Sequence, residues 1–129
     1  MDARPAFELK STEGGTRSFP AGRPALICFA KEDCETCNLV APLLQALHEA
    51  FGDAANIWVV GQSGDGNTVF RDRHGLTLPL LDDADLATSF AWDFEAVPAL
   101  YWCPDGATAE THMEGFVREE WQGLATTLS

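Results

Sequence analysis

The chain has 129 residues, 46% of them hydrophobic, so it is long enough for one domain with a buried core and is too apolar to be disordered. Its net charge of -12 argues against nucleic acid and anionic membrane surfaces as partners, because both require basic residues. No apolar run approaches the roughly 20 residues of a membrane span, so we expect no membrane insertion.

The first elements predicted along the chain are a hairpin, a buried strand and a long helix. Residues 7–19 alternate around the pair Gly14 and Gly15, which is typical of a tight turn between two strands. The continuous apolar run at 25–30 suits a strand that is buried on both faces. From residue 34 to residue 51 the apolar residues recur with a helical period, which predicts an amphipathic helix.

The second half of the chain predicts shorter elements: a buried strand at 57–60, a glycine-rich loop at 62–67, a helix at 68–74, an extended segment at 78–81, a helix at 84–90 capped by Asp82 or Asp83, strands at 99–103 and 113–117, and a closing helix at 118–128. Strands joined through a helix pair in parallel, and strands joined by a short turn pair antiparallel. We therefore expect an α/β sandwich in which a mixed central sheet carries helices on both faces.

We expect residues 1–129 to form a single domain, and the abrupt end at Ser129 leaves open that it was cut from a longer chain. Residues 1–10 lack the apolar core of a signal peptide. The expected location is cytoplasmic if Met1 is the native start. The alternative is a periplasmic or other extracytoplasmic protein from which a leader or an anchor has been removed.

Cys34 and Cys37 open the long helix directly after a buried strand. A thiol in the first turn of a helix feels the helix dipole and free backbone N–H groups, which favour the attacking thiolate. A second thiol one turn later can resolve the mixed disulfide, so the pattern predicts a site of dithiol/disulfide exchange. A zinc site would need four ligands, and the chain has no second close pair, so we expect neither metal nor cofactor. An inert pair of buried thiols is the remaining alternative.

Charged residues beside Cys34 are expected to tune its chemistry. Glu32, Asp33 and Glu35 place negative charge next to the sulfur, which opposes a thiolate there and favours a reductant over an oxidant. Lys31 is the one neighbouring cation and partly offsets these acids. The alternative is that all of these side chains are solvated and that their effects are screened.

From about Phe7 to Leu128 the chain resembles the thioredoxin superfamily. The resemblance is carried by the strand at 26–30, the spaced cysteine pair, Pro42 five residues after Cys37, and Val97-Pro98 before a strand. The segment between the second and third predicted core strands resembles the insertion of the TlpA/ResA-type disulfide reductases, which are relatives of the AhpC/TSA redoxins. The residues that match this insertion are His74-Gly75-Leu76, Pro79-Leu80-Leu81-Asp82 and Phe90. The lead-in around Phe7, Leu9 and Phe19 is also similar to theirs.

The resemblance implies a thioredoxin-like three-layer sandwich with an N-terminal hairpin and a TlpA-type insertion. It also implies a cis bond between Val97 and Pro98 that faces the cysteines, shields them and helps to dock an extended substrate. The chain departs from the family in three places. Asp33 stands where Trp precedes the first cysteine, Glu35-Thr36 contains no proline, and Cys28 stands where thioredoxins bury an acid.

The function predicted from these features is that of a thiol-disulfide oxidoreductase, in which Cys34 attacks a protein disulfide and Cys37 resolves it. Its partners would be that disulfide substrate and an upstream thiol electron donor, and we expect a monomer. One alternative is a thiol peroxidase-like enzyme, although residues 29–34 lack the Pro/Thr motif of peroxiredoxins. Another is a non-catalytic binding module. Cys28 and Cys103 are expected to be core residues, with capture of Cys37 by Cys28 as the alternative for the first.

Overall fold

The computed structural model describes residues 2–129, which form nine strands and four helices. The strands are β1 (Asp2–Ala3), β2 (Phe7–Ser11), β3 (Thr16–Phe19), β4 (Ala25–Phe29), β5 (Asn56–Gly61), β6 (Leu80–Asp82), β7 (Ala99–Cys103), β8 (Thr108–Ala109) and β9 (Thr111–Glu114). The helices are α1 (Glu35–Phe51), α2 (Gly64–His74), α3 (Ala87–Trp92) and α4 (Arg118–Leu128).

Seven of the strands form one mixed sheet in the order β3-β2-β6-β5-β4-β7-β9, and β1 pairs with β8 beside it. Strands β4, β5 and β6 are parallel, whereas β7 and β9 are antiparallel to their neighbours. The N-terminal hairpin joins β2 to β3, with Phe7 opposite Phe19. The hairpin, the parallel central strands and the antiparallel final pair are therefore confirmed.

The two faces of the sheet carry different cores because successive residues of a strand point to opposite sides. We call the side that contacts α1, α2 and α4 the aliphatic face; its buried residues include Leu26, Cys28, Cys37, Val40, Leu44, Val59, Phe70, Leu80, Leu100 and Trp121. We call the other side the aromatic face; its buried residues include Phe7, Phe19, Ile27, Phe29, Trp58, Trp92, Tyr101 and Cys103. The four tryptophans are all buried, Trp58 and Trp92 on the aromatic face and Trp102 and Trp121 on the aliphatic face.

The start of α2 differs from the sequence prediction, which gave a loop at 62–67. The helix already begins at Gly64, and the Ser63 hydroxyl caps it by accepting the Gly66 N–H at 2.9 Å. Asp65 lies in the first turn, where a negative charge favours the positive end of the helix dipole. These two effects outweigh the weak helix propensity of the glycines.

The boundaries of α3 and β9 also differ from the prediction. Helix α3 begins at Ala87, not at residue 84, because Leu86 adopts a left-handed conformation with φ 61° just before it. Asp83 still caps the helix, since its two carboxylate oxygens accept the N–H groups of Thr88 and Ser89 at 3.1 and 2.7 Å. The last strand spans 111–114, two residues earlier than expected at its start and three at its end.

None of the helices formed by residues 2–129 combines the length and the hydropathy needed to cross a bilayer.

Candidate dithiol site

The first thiol sits at the N-cap of α1. Cys34 has an extended backbone, with φ -93° and ψ 119°, and its Sγ accepts the backbone N–H of Cys37 at 3.2 Å. A cap side chain satisfies one of the free N–H groups at a helix start, and here sulfur does so in place of the usual oxygen. Cys34 is half-buried, so its sulfur borders both solvent and the end of the aliphatic face.

The second thiol lies one turn further into the protein. Cys37 is fully buried, and its Sγ accepts the backbone N–H of Lys31 at 3.5 Å. Burial, followed by a hydrogen bond with the Cys34 sulfur, raises the pKa of the Cys37 thiol to about 12, whereas the Lys31 N–H opposes this rise. Cys37 is therefore a protonated thiol at neutral pH, and neither cysteine is in a disulfide.

A loop from the other end of the chain closes the site. The Cys34 sulfur lies 3.8 Å from the carbonyl oxygen of Val97, and the Val97–Pro98 peptide bond is cis. Glu114 of β9 holds this loop, because its Oε1 accepts the N–H groups of Glu95 and Ala96 at 3.0 and 2.9 Å. The structure thus brings the predicted residues Cys34, Cys37, Val97 and Pro98 together. The supporting role of Glu114 was not predicted, because no local sequence pattern indicates it.

The remaining predicted residues lie around the sulfur at the surface. Lys31 pairs with Asp33, with Nζ and Oδ1 3.6 Å apart, and both side chains are well exposed, so the pair contributes about 0–1 kcal/mol to stability. Glu35 and Thr36 form the first turn of α1 and line an open surface depression of about 520 Å³.

A hydrogen-bonded bridge beside the dithiol was missed by the sequence reasoning. The side chain of Asn38 bonds to the carbonyl oxygens of Glu32 and Cys34 and to the side chains of Arg73 and His74 at the end of α2. Burial, followed by the charge of Arg73, lowers the pKa of His74. The only sequence signal was an amide residue immediately after Cys37 in a helix, where Asn is not a favoured residue.

The other two cysteines belong to the core. Cys28 is fully buried on the aliphatic face, and burial followed by the charges of Cys37 and Cys34 raises its pKa well above 9.0. Cys103 is fully buried on the aromatic face, and burial raises its pKa to about 12. Over residues 2–129, no three side chains of His, Cys, Asp or Glu are grouped in a way that could hold a metal ion.

Solved structures with a similar fold include several redox proteins. A candidate thiol:disulfide interchange protein DsbE from Chlorobium tepidum has a TM-score of 0.85 at 15% identity, with coverage of 99% of this chain and 96% of that one. A secreted Mycobacterium tuberculosis disulfide oxidoreductase homologous to E. coli DsbE has a TM-score of 0.76 at 20% identity, covering 94% and 95%. The Xanthomonas campestris bacterioferritin comigratory protein, studied for alkyl peroxide reduction, has a TM-score of 0.78 at 17% identity, covering 95% and 89%.

These likenesses confirm the thioredoxin-like fold. No curated protein sequence is similar enough to this chain to count as a match. The family model of the AhpC/TSA family, in contrast, matches residues 1–117, which is most of the chain. This protein is therefore a member of the AhpC/TSA family.

Proposed function

We propose that the protein is a thiol-disulfide oxidoreductase that reduces disulfides in other proteins through Cys34 and Cys37. The observation that carries the proposal is the position of the Cys34 sulfur at the N-cap of α1. There it accepts the Cys37 N–H at 3.2 Å and faces the Val97 carbonyl at 3.8 Å. The helix dipole and a free N–H group both stabilise a thiolate at that point.

The reaction would proceed in two exchange steps. The Cys34 thiolate attacks one sulfur of the substrate disulfide, forms a mixed disulfide and releases the other substrate sulfur as a thiolate. Cys37 then loses its proton and attacks the Cys34 sulfur, which forms the Cys34–Cys37 disulfide and releases the second substrate thiol. Two electrons pass to the substrate, and an upstream dithiol donor returns two electrons to the pair.

The resolving step would be controlled by the environment of Cys37. Its pKa of about 12 keeps it protonated at neutral pH in the reduced protein. The Lys31 N–H at 3.5 Å then favours the sulfur anion as the proton leaves. A buried resolving thiol is therefore protected from outside reagents while it remains one helical turn from its target.

Reduction of insulin in the presence of dithiothreitol tests this proposal. We expect the unaltered protein to accelerate insulin precipitation, and we expect Cys34→Ser to lose at least about a hundredfold in rate because the nucleophile is gone. Cys103→Ala is the matched control, since Cys103 is buried on the aromatic face and should leave the rate unchanged. The proposal fails if Cys34→Ser is as active as the unaltered chain, or if the unaltered chain is inactive and its Cys34 resists alkylation.

A peroxidase is the second candidate, favoured by the AhpC/TSA family match and by the peroxide chemistry studied in the Xanthomonas campestris protein. In that case the Cys34 thiolate attacks the peroxide, becomes a sulfenic acid and releases an alcohol or water. Cys37 then condenses with the sulfenic acid and releases water. A peroxide-consumption assay with the unaltered protein and the same two variants distinguishes the two candidates, because a reductase consumes peroxide far more slowly than it reduces insulin.

We further propose an extracytoplasmic site of action, in line with the secreted Mycobacterium tuberculosis protein of similar fold. Fractionation of cells that express the native gene tests this placement, and recovery in the cytoplasmic fraction alone would reject it.

A further inference from the structure

We propose that Asn38 is a positioning residue for the attacking thiol, and that it acts by tying the backbone on both sides of Cys34 to the end of α2. The inference rests on the dithiol function proposed above and names a further residue on which that function depends. The hydrogen-bond partners of the Cys34 sulfur are Val97 and Cys37, not Asn38, so the effect of Asn38 is transmitted through the backbone of residues 32–34.

The carboxamide of Asn38 uses all of its hydrogen-bonding capacity. Its Nδ2 donates to the carbonyl oxygens of Glu32 and Cys34 at 3.0 and 2.9 Å. Its Oδ1 accepts from Arg73 Nη1 at 2.8 Å and lies 2.6 Å from His74 Nε2. Two carbonyls on one side and a guanidinium on the other fix the orientation of the amide, because the reverse orientation would place donors against donors. His74 must then carry its proton on Nε2.

A second set of contacts holds the same segment on α2. Arg73 Nη1 also donates to the carbonyl oxygen of Glu32, at 2.7 Å. The carboxylate of Glu32 lies against the first turn of α2, where a Cβ added to Gly66 would be 2.5 Å from its Oε2. Glu32 is therefore bonded through its backbone to the last turn of α2, and its side chain lies against the first turn. Helix α2, which belongs to the insertion, thus becomes a support for the thiol.

The bridge is bonded to Cys34, the residue whose backbone conformation directs the attacking sulfur. The Cys34 carbonyl accepts both the Asn38 side chain and the Asn38 backbone N–H, the latter at 3.0 Å. Its direction is linked to the extended conformation that aims Sγ at the Cys37 N–H. If the bridge is lost, residues 32–34 gain freedom and the two sulfurs meet less often in bonding geometry. The effective concentration of one thiol at the other then falls, which disfavours the internal disulfide.

Gln45 provides a matched control on the same helix. Its side chain also joins α1 to the chain near the end of α2, by donating to Thr77 Oγ1 at 2.7 Å and accepting the N–H groups of Thr77 and Leu78 at 2.9 and 3.3 Å. It lies about two turns beyond Asn38, away from the thiols. Removal of either amide breaks a comparable bridge, but only Asn38 is bonded to the backbone of Cys34.

The test measures the equilibrium constant for Cys34–Cys37 disulfide formation against glutathione, together with thermal stability, on the full chain. We expect Asn38→Ala and Gln45→Ala to lower stability to a similar extent. Only Asn38→Ala should lower the equilibrium constant, by about fivefold, while Gln45→Ala stays within about twofold of the unaltered protein. If Asn38→Ala does not fold, Arg73→Lys replaces it, because it keeps the charge and loses the planar guanidinium; there we expect a decrease of about two- to threefold.

Equal equilibrium constants for Asn38→Ala and Gln45→Ala would overturn the inference while leaving the dithiol function intact, and so would an unchanged constant in Arg73→Lys. Failure of the dithiol chemistry itself gives a different result, since the unaltered chain would then form no Cys34–Cys37 disulfide at any glutathione ratio. That result would overturn both.

Discussion

The two faces of the central sheet are built for different tasks. The aromatic face contains a continuous set of ring contacts around Trp92, with centroid distances of 5.0 Å to Phe19, 5.2 Å to Phe29 and 4.9 Å to Tyr101. The aliphatic face contains mostly branched side chains beneath α1 and also buries Cys28 and Cys37. Ring packing is thus concentrated on the aromatic face of the sheet. The reactive Cys34 sulfur lies at the edge of the aliphatic face.

Strand β4 and the Val97 loop connect the two sides. Along β4, Cys28 faces the aliphatic core while its neighbours Ile27 and Phe29 face the aromatic core. Val97 packs against both cores and places its carbonyl at the Cys34 sulfur. The aromatic core therefore packs against the strand and the loop that border the thiols. Substitutions on the aromatic face should change stability, and substitutions around the start of α1 should change thiol chemistry.

Trp92→Ala is expected to have the largest effect of the substitutions on the aromatic face. The side chain is 1% exposed, contacts four aromatic rings, and donates from Nε1 to the Pro5 carbonyl at 3.0 Å. Loss of a buried tryptophan leaves a large cavity and costs about 3–5 kcal/mol. Urea unfolding of the reduced protein measures this loss of free energy.

Phe90→Ala is the control for that experiment, because Phe90 lies on the same short helix and is 88% exposed. We expect its free energy of unfolding to stay within about 0.5 kcal/mol of the unaltered protein. In the folded molecules of both variants, Cys34 should be alkylated at the same rate as in the unaltered protein. A large change of that rate in folded Trp92→Ala would contradict the division of tasks between the two faces.

The sequence predicted the parts of the fold that depend on local patterns. Apolar runs and the change of period at residue 34 located β4, β5, β7 and α1, because strand and helix periods are properties of neighbouring residues. The spacing of Cys34 and Cys37 at a helix start likewise located the thiols, since one helical turn brings them together. The position of Val97-Pro98 was taken from the family resemblance, as no local pattern places that loop next to Cys34.

Features that depend on distant contacts were not predicted. Helix α2 begins early, and its first turn accommodates the carboxylate of Glu32, which lies about 30 positions earlier in the chain. The bridge at Asn38 needs Arg73 and His74, which are 35 and 36 residues away. The left-handed conformation of Leu86 shifted α3, and nothing in the residue type indicates such a φ.

Gly61→Ala tests the close approach of α2 to the aliphatic face. A Cβ at Gly61 would lie 1.8 Å from Asn67 Oδ1, and Asn67 is buried and donates to the Leu81 carbonyl at 2.9 Å. Since Asn67 cannot move away without breaking that bond, we expect the free energy of unfolding, measured in urea, to fall by about 1–3 kcal/mol.

Gly123→Ala is the control, with an expected effect of the opposite sign. Gly123 faces open space in α4, so the substitution should raise the free energy of unfolding by about 0.5–1 kcal/mol. An unaffected Gly61→Ala would show that α2 sits less tightly than described.

Stability is also expected to depend on alkaline pH, through buried thiols on both faces of the sheet. Burial raises the pKa of Cys103 on the aromatic face and of Cys37 on the aliphatic face from 9.0 to about 12, and raises that of Cys28 as well. Between pH 9 and 12 the folded protein therefore keeps protons that the unfolded chain releases, so the free energy of unfolding falls as the pH rises. Tyr101, raised from 10.0 to about 12, adds to the fall from pH 10 upward. Urea unfolding under reducing conditions from pH 8 to 10.5 measures this slope.

Cys103→Ala removes one of the contributing thiols and should make the slope shallower. A slope as steep as that of the unaltered protein would mean that Cys103 ionises alike in the folded and unfolded chain.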